Sequence, residues 1–144
     1  MTLTVKTFAK RSRPFREIAE DFKREVLKGM VDTAVDASPV DTAAYVDSFG
    51  FNGPQGFSSK ERPRTRPGPS TDVGAAKDKN KTRLRAEVDS LNLSGPVVFG
   101  NAAPHANIVE NGSQYQSGEQ VFGRTRREFT RLTREALQKS RGAQ

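Results

Sequence analysis

"GNAAPHANIVENGS", residues 100–113, decides how the rest of this chain is read. His105 is the only histidine, and it lies five residues before Glu110, between a proline and two asparagines. The stretch is either the edge of an active site or a turn whose polar groups fasten one piece of backbone to another. On a helix His105 and Glu110 would sit about 140° apart, on different faces, so a base and its orienting partner do not form locally. Asn101, Asn107 and Asn111 suit turns, because their side chains mimic backbone hydrogen bonds. Gly112 suits a helix C-terminus, where left-handed backbone is favourable only for glycine. A strand, a turn, one short helical segment and a glycine stop make a corner, and this is the reading we adopt.

Composition points the same way. Cysteine is absent, which removes disulfides, thiolate zinc sites and cysteine nucleophiles. One histidine leaves little room for His-rich metal sites or Ser-His-Asp arrangements. The expectation is a protein that is not an enzyme and needs no cofactor and no metal. A nuclease or hydrolase using Asp/Glu with His105 is the catalytic rival.

The 144 residues match one domain, 1–144, but only 33% are hydrophobic and 28% charged, with mean hydropathy −0.72. That is sparse for a monomer and ordinary for a subunit that completes its burial against neighbours. No apolar run approaches the ~18–20 residues of a membrane span, and "MTLTVKTFAKRSRPF" has no signal-peptide core, so a soluble, membrane-free protein is expected. The net charge of +7 is uneven: residues 14–49 carry eight acidic groups against four basic, while residues 124–144 carry seven basic against two acidic. Opposite charges on the two segments can pair within the chain or set register between copies. The surplus can also face nucleic acid, and a small basic nucleic-acid-binding protein is the rival of another class.

Outward from the corner, "SRPFREIAEDFKREVLKGMVDTAVDAS" predicts a long amphipathic helix over 13–37, capped by Ser12 and stopped by Pro39. Phe15, Ile18, Ala19, Phe22, Val26, Met30 and Ala34 form its apolar stripe. "SPVDTAAYVDSF" predicts a short helix capped by Asp41 and running to Asp47, with Tyr45 turned inward; Phe49 and Phe51 share one face of a following strand. Residues 53–70, "GPQGFSSKERPRTRPGPS", read as a long basic Pro/Gly-rich loop carrying Lys60, Arg62, Arg64 and Arg66.

A second helix should open at Ser70 or Thr71 and stop at Gly95, with Leu84, Val88 and Leu91 inside and Lys77, Lys79, Lys81, Arg83 and Arg85 on a solvated face. "PVVFGN" is a strand. The last helix should run over 118–140, with Phe122, Thr125, Phe129, Leu132, Ala136 and Leu137 apolar and Arg124, Arg126, Arg127, Arg131 and Arg134 polar. The fold class is α+β: long amphipathic helices on a small, mainly antiparallel sheet.

"VVFGNAAPHANIVENGSQYQSGEQVFGRTRREF" resembles a pattern in the tail-completion, or neck, proteins of long-tailed bacteriophages. The pattern falls on Asn101, Pro104, His105, Ala106, Val109, Glu110, Gly112, Ser113, Gln116, Gly118, Val121 and Arg124. Upstream, "SPVDTAAYVDSF" is similar to the family's Ser-Pro-Val-Asp-Thr-Gly segment, with Pro39, Asp41 and Tyr45 at its structural positions. His105 stands where the family usually has tyrosine, and Ala43 where it has glycine. The resemblance implies a structural virion protein of the phage neck, assembled in the host cytoplasm. It implies a homo-oligomeric ring, a hexamer, between a head-side connector or stopper protein and a tail terminator or tail tube protein. Packaged DNA would pass through the lumen without being read. A tail terminator or head–tail stopper is the alternative within this class. Lys60, Arg62, Arg64, Arg66, Arg124, Arg127 and Arg131 are the candidate DNA or subunit contacts.

Overall fold

The computed structural model describes residues 14–40, 43–52 and 72–142. Helix α1 (Phe15–Ala37) starts from Pro14, whose carbonyl accepts from the Glu17 and Ile18 amides. Its expected cap, Ser12, lies outside the described residues. At the other end Ser38 is extended, as Pro39 requires of the residue before it, and its hydroxyl folds back onto the Ala34 carbonyl at 2.6 Å. The buried face is wider than the expected stripe. Val26, Val31, Ala34 and Val35 are buried, while Phe15 is 85% exposed. Val26 and Val35 lie about 180° apart around the axis, because α1 is clasped on two sides.

The chain then forms α2 (Ala44–Asp47), entered through Ala43 at φ +57°, and strand β1 (Phe49–Asn52). The expected cap Asp41 is outside the described residues, as is loop 53–70 with Lys60, Arg62, Arg64 and Arg66. Helix α3 (Val73–Ser90) is capped by Asp72, whose carboxylate accepts from the Ala75 amide at 2.9 Å. It ends at Ser90, not Gly95. The segment beyond turns back, and the Lys23 ammonium donates to the carbonyls of Leu93 and Gly95, both at 2.9 Å. Asn80, Leu84 and Val88 make its buried line.

Strand β2 (Val98–Asn101) pairs antiparallel with β1, Phe51 opposite Phe99 and Phe49 opposite Asn101. Those four side chains share one face, since residues two apart point the same way. Phe49 stacks on Phe99 with centroids 5.3 Å apart, Phe51 lies 5.1 Å from Phe99, and Phe122 closes on both Phe49 and Phe99 at 5.9 Å. There follow α4 (Ala106–Asn111), a hairpin of β3 (Gly112–Ser113) and β4 (Gln116–Ser117), and α5 (Val121–Gly142). The architecture is α+β, with both ladders antiparallel. Most packing is helix on helix: α1 lies between α3 and α5, and the β1–β2 ribbon covers the aromatic end of the core. Leu132 of α5 sits directly over Gly29 of α1.

Charges line both seams. Along α1–α3, Asp36 receives Lys81 at 2.6 Å, Asp32 takes the Arg85 guanidinium, and Lys28 holds Asp89 at 2.7 Å. Lys77 donates to the Asp36 carbonyl at 2.7 Å. The side chains expected to be solvated on α3 are therefore, Lys79 aside, drawn into contacts. Hydrogen bonding to Asp32 raises the Arg85 pKa further above its already high ordinary value. Between α1 and α5, Lys139 meets Glu25 at 3.1 Å. Of the acidic side chains of α1, Asp32 and Asp36 thus find counter-charge on α3, Glu20 and Asp21 find it in arginines of α1 itself, and only Glu25 is met from the arginine-rich last helix.

Candidate functional site

The corner around His105 is assembled from four separate elements. At the end of β2, Asn101 uses both ends of its amide: Nδ2 donates to the Tyr45 carbonyl at 2.7 Å and Oδ1 accepts from the Ala103 amide at 2.9 Å. One side chain ties α2 to the turn that leaves the ribbon. The Ala102 amide adds a bond to the Ser48 carbonyl at 3.0 Å. Pro104 is exposed within that turn, and Ala103 beneath it is buried. Pro39 is half-buried where α1 ends.

Glu110 closes the corner on the other side. Its Oε2 accepts from the Phe122 amide and Oε1 from the Gly123 amide, each at 2.9 Å. A helix begins with amides that have no intrahelical acceptor and with a partial positive charge, so a carboxylate there satisfies both. The neighbouring backbone runs alongside: the Glu119 amide donates to the Val109 carbonyl at 2.7 Å and the Gln120 amide to the Glu110 carbonyl at 3.2 Å.

Two glycines allow this approach. Gly112 has φ +81°, and a Cβ there would lie 2.5 Å from the Gly118 nitrogen; a Cβ on Gly118 would lie 2.4 Å from the Glu110 carbonyl oxygen. Gly118 therefore belongs to the crossing of two backbones, not to the helix. This explains why α5 starts at Val121 and not at 118: Gly118 lies against α4, the amides of residues 119 and 120 are hydrogen-bonded to it, and the first free turn is the one Glu110 caps. The helix also runs past 140, to Gly142.

His105 is exposed, its carbonyl accepts from the Ile108 and Val109 amides, and its ring stands 6.0 Å from the Tyr45 ring at 48°. Its imidazole makes no hydrogen bond among the described residues, and Glu110 spends both oxygens on the helix. Tyr45 is buried, and its hydroxyl has no hydrogen-bond partner among the described residues. Burial, reinforced by the negative charge of Glu110, pushes its phenol above the ordinary tyrosine value. Among the described residues no three acidic or histidine side chains are grouped to hold a metal. No helix there is long and apolar enough to cross a membrane.

The other candidate residues lie apart from the corner or at its rim. Arg124 lies 3.7 Å from Glu119, Arg127 reaches Gln120 at 3.3 Å, and Arg131 is held between Glu128 at 2.5 Å and Glu135 at 2.6 Å. Those two carboxylates raise the Arg131 pKa further.

A polar joint absent from the sequence reading connects α3 to the same region. Buried Asn80 donates to Asp47 at 2.8 Å and to the Ala76 carbonyl, while its oxygen accepts from Arg83, which also reaches the Phe49 carbonyl at 3.0 Å. The signal was an asparagine occupying the apolar line four residues before Leu84. The arrangement as a whole is built to hold backbone segments together, and its carboxylate and amide groups are consumed in doing so. Comparisons of the chain with protein families, curated proteins and solved structures found no match.

Proposed function

We propose that this chain is a structural protein of a phage neck, a ring subunit that joins the portal-side connector to the tail tube around the DNA channel. The observation that carries the reading is the meeting of its two motif segments. Tyr45, from the upstream segment, is tied through its carbonyl to Asn101, from the downstream one, 56 residues later. Glu110 of the same segment then fixes the start of the last helix. Residues shared with a family pattern and used for fastening, not for chemistry, support an architectural role. Large apolar side chains left at the surface, among them Tyr115 at 88% and Phe129 at 48% exposure, supply contact area for neighbouring subunits. A tail terminator or head–tail stopper would draw on the same support, since each is a small ring protein.

Virions made without this protein test the proposal. Negative-stain images showing filled heads and finished tails lying apart are expected. Intact virions would overturn it.

A further inference from the structure

Most charged side chains among the described residues are engaged internally, and, Asp78 and Lys79 of α3 aside, those left over lie on α5. Among the described carboxylates, Asp78 alone has no hydrogen bond or ion pair. Arg126, Arg134 and Arg141 of α5 pair with no carboxylate among the described residues, and Arg127 contacts only the Gln120 amide. Arg127, Arg134 and Arg141 follow one another at seven residues, two helical turns, about 10.5 Å apart and drifting only about 20° per step. Arg126 lies on the flank of the same strip, which also carries Thr130, the exposed Leu137 and Gln138. Glu128 and Glu135 border the strip on the side away from Arg126, about 100° round the axis from Arg127 and Arg134, and are occupied with Arg131.

We infer that this strip, Arg126, Arg127, Arg134 and Arg141, is a docking face for the phosphodiester backbone of duplex DNA. Three features select that occupant. A second copy of the chain has almost no free carboxylate among its described residues to offer. A membrane surface would need a broad apolar face to insert, but Val121, Leu132 and Ala136 are turned onto the core, and the exposed Phe129 and Leu137 of α5 stand about 80° apart around the axis and make no such face. The charge of the strip comes from arginine alone, whose planar fork matches phosphate oxygens in pairs, while the helix's single lysine, Lys139, is engaged with Glu25. Thr130 and Gln138 are the only uncharged polar groups on it, with no aromatic platform, so the grip follows backbone charge and ignores sequence. Arg124 and Arg131, singled out from the sequence, are left out because each already has a carboxylate beside it, Glu119 at 3.7 Å for Arg124 and Glu128 and Glu135 at 2.5 and 2.6 Å for Arg131. The inference stands whether or not the chain forms a neck ring.

Fluorescence anisotropy of a short labelled duplex, titrated with the purified full chain, reads it directly. Four phosphate contacts contribute about −3.6 to the slope of log K against log salt, a fall of roughly 150-fold between about 50 and about 200 mM. R126Q/R127Q/R134Q/R141Q should flatten the slope by about that amount and weaken binding at about 50 mM salt by at least ~100-fold. R124Q/R131Q should change the slope by less than about 1, and two duplexes of unrelated sequence should bind alike. Circular dichroism verifies that the variants are folded; should the fourfold variant not be, R134Q alone should flatten the slope by about 1. An unchanged slope in the fourfold variant or in R134Q, an equal loss in R124Q/R131Q, or no binding of duplex at low salt overturns the inference. Tighter binding to phosphatidylserine vesicles than to duplex at equal salt overturns it in favour of a membrane.

Discussion

The carboxylate of Glu110 is the most exposed point of failure in the corner, because one side chain serves two amides across a gap of twelve and thirteen residues. A hydrogen bond to a charged group contributes about 1.5–3 kcal/mol when shielded from water. Glu110 is half-buried, so water recovers part of that once the side chain is removed. Loss of an ordinary helix cap, about 0.5–2 kcal/mol, sets the lower bound. Glu110→Ala should therefore cost about 2–3 kcal/mol. Glu110→Gln keeps one acceptor but loses the charge at the positive end of α5, and should cost about 1 kcal/mol.

Urea unfolding followed by circular dichroism measures both. With a slope of about 2 kcal/mol per molar urea, the alanine variant should move the midpoint down by about 1–1.5 M. Glu119→Gln is the control: its partner Arg124 is 3.7 Å away and both are about half exposed, so the expected loss is at most about 0.5 kcal/mol. A midpoint shift in Glu110→Ala below about 0.25 M, or one no larger than in Glu119→Gln, would refute the clamp.

Tyr45→Phe should be neutral or stabilising by up to about 1 kcal/mol, because the buried hydroxyl it removes has no partner among the described residues; a loss above about 1 kcal/mol would mean the hydroxyl is bonded. The phenol's raised pKa gives a pH signature. Below about pH 10 it is protonated in both states and adds no dependence, while above that the unfolded chain releases the proton first and stability falls by up to about 1.4 kcal/mol per pH unit. Urea midpoints across that range should fall in the wild type and less steeply in Tyr45→Phe. Ala43→Gly should stabilise by about 0.5–1 kcal/mol, since φ +57° disfavours any side chain, and a lower thermal midpoint would contradict that backbone assignment. Gly118→Ala should destabilise by at least about 2 kcal/mol, because its methyl would strike the Glu110 carbonyl oxygen; a wild-type midpoint would show that the two backbones do not cross so closely.

Local signals in the sequence were read well where local chemistry decides. Pro39 set the end of α1 at Ala37, the spacing of Leu84 and Val88 located the inner face of α3, and the Asn/Gly pattern of 100–113 marked the corner. Misreadings follow from distant partners. The start of α5 moved to Val121 because its cap comes from Glu110 rather than from the residue before the helix. The lysines and arginines of α3 looked like a solvated face, since nothing nearby in sequence indicates that Asp32 and Asp36 lie opposite. Phe15 and Phe129 fit a helical stripe by spacing yet stay exposed, because spacing gives the direction of a side chain and not whether anything stands there. The reverse error hid Asn80, a polar residue on an inward line that is accepted there because Asp47 and Arg83 satisfy it.

The seam between the first and last helices has a consequence for synthesis. Lys139 and Glu25 are separated by 114 positions, and at ordinary translation speeds of about 5–20 residues per second the partner arrives roughly 6–20 s after α1 has been made. During that interval α3 can cover only one flank of the nascent helix, and the flank awaiting Leu132 and Ala136 stays open to whatever chaperone or stray polypeptide is near. A ribosome stalled before Val121 would release a product with a greasy, half-finished surface, because only α5 brings the side chains that cover it.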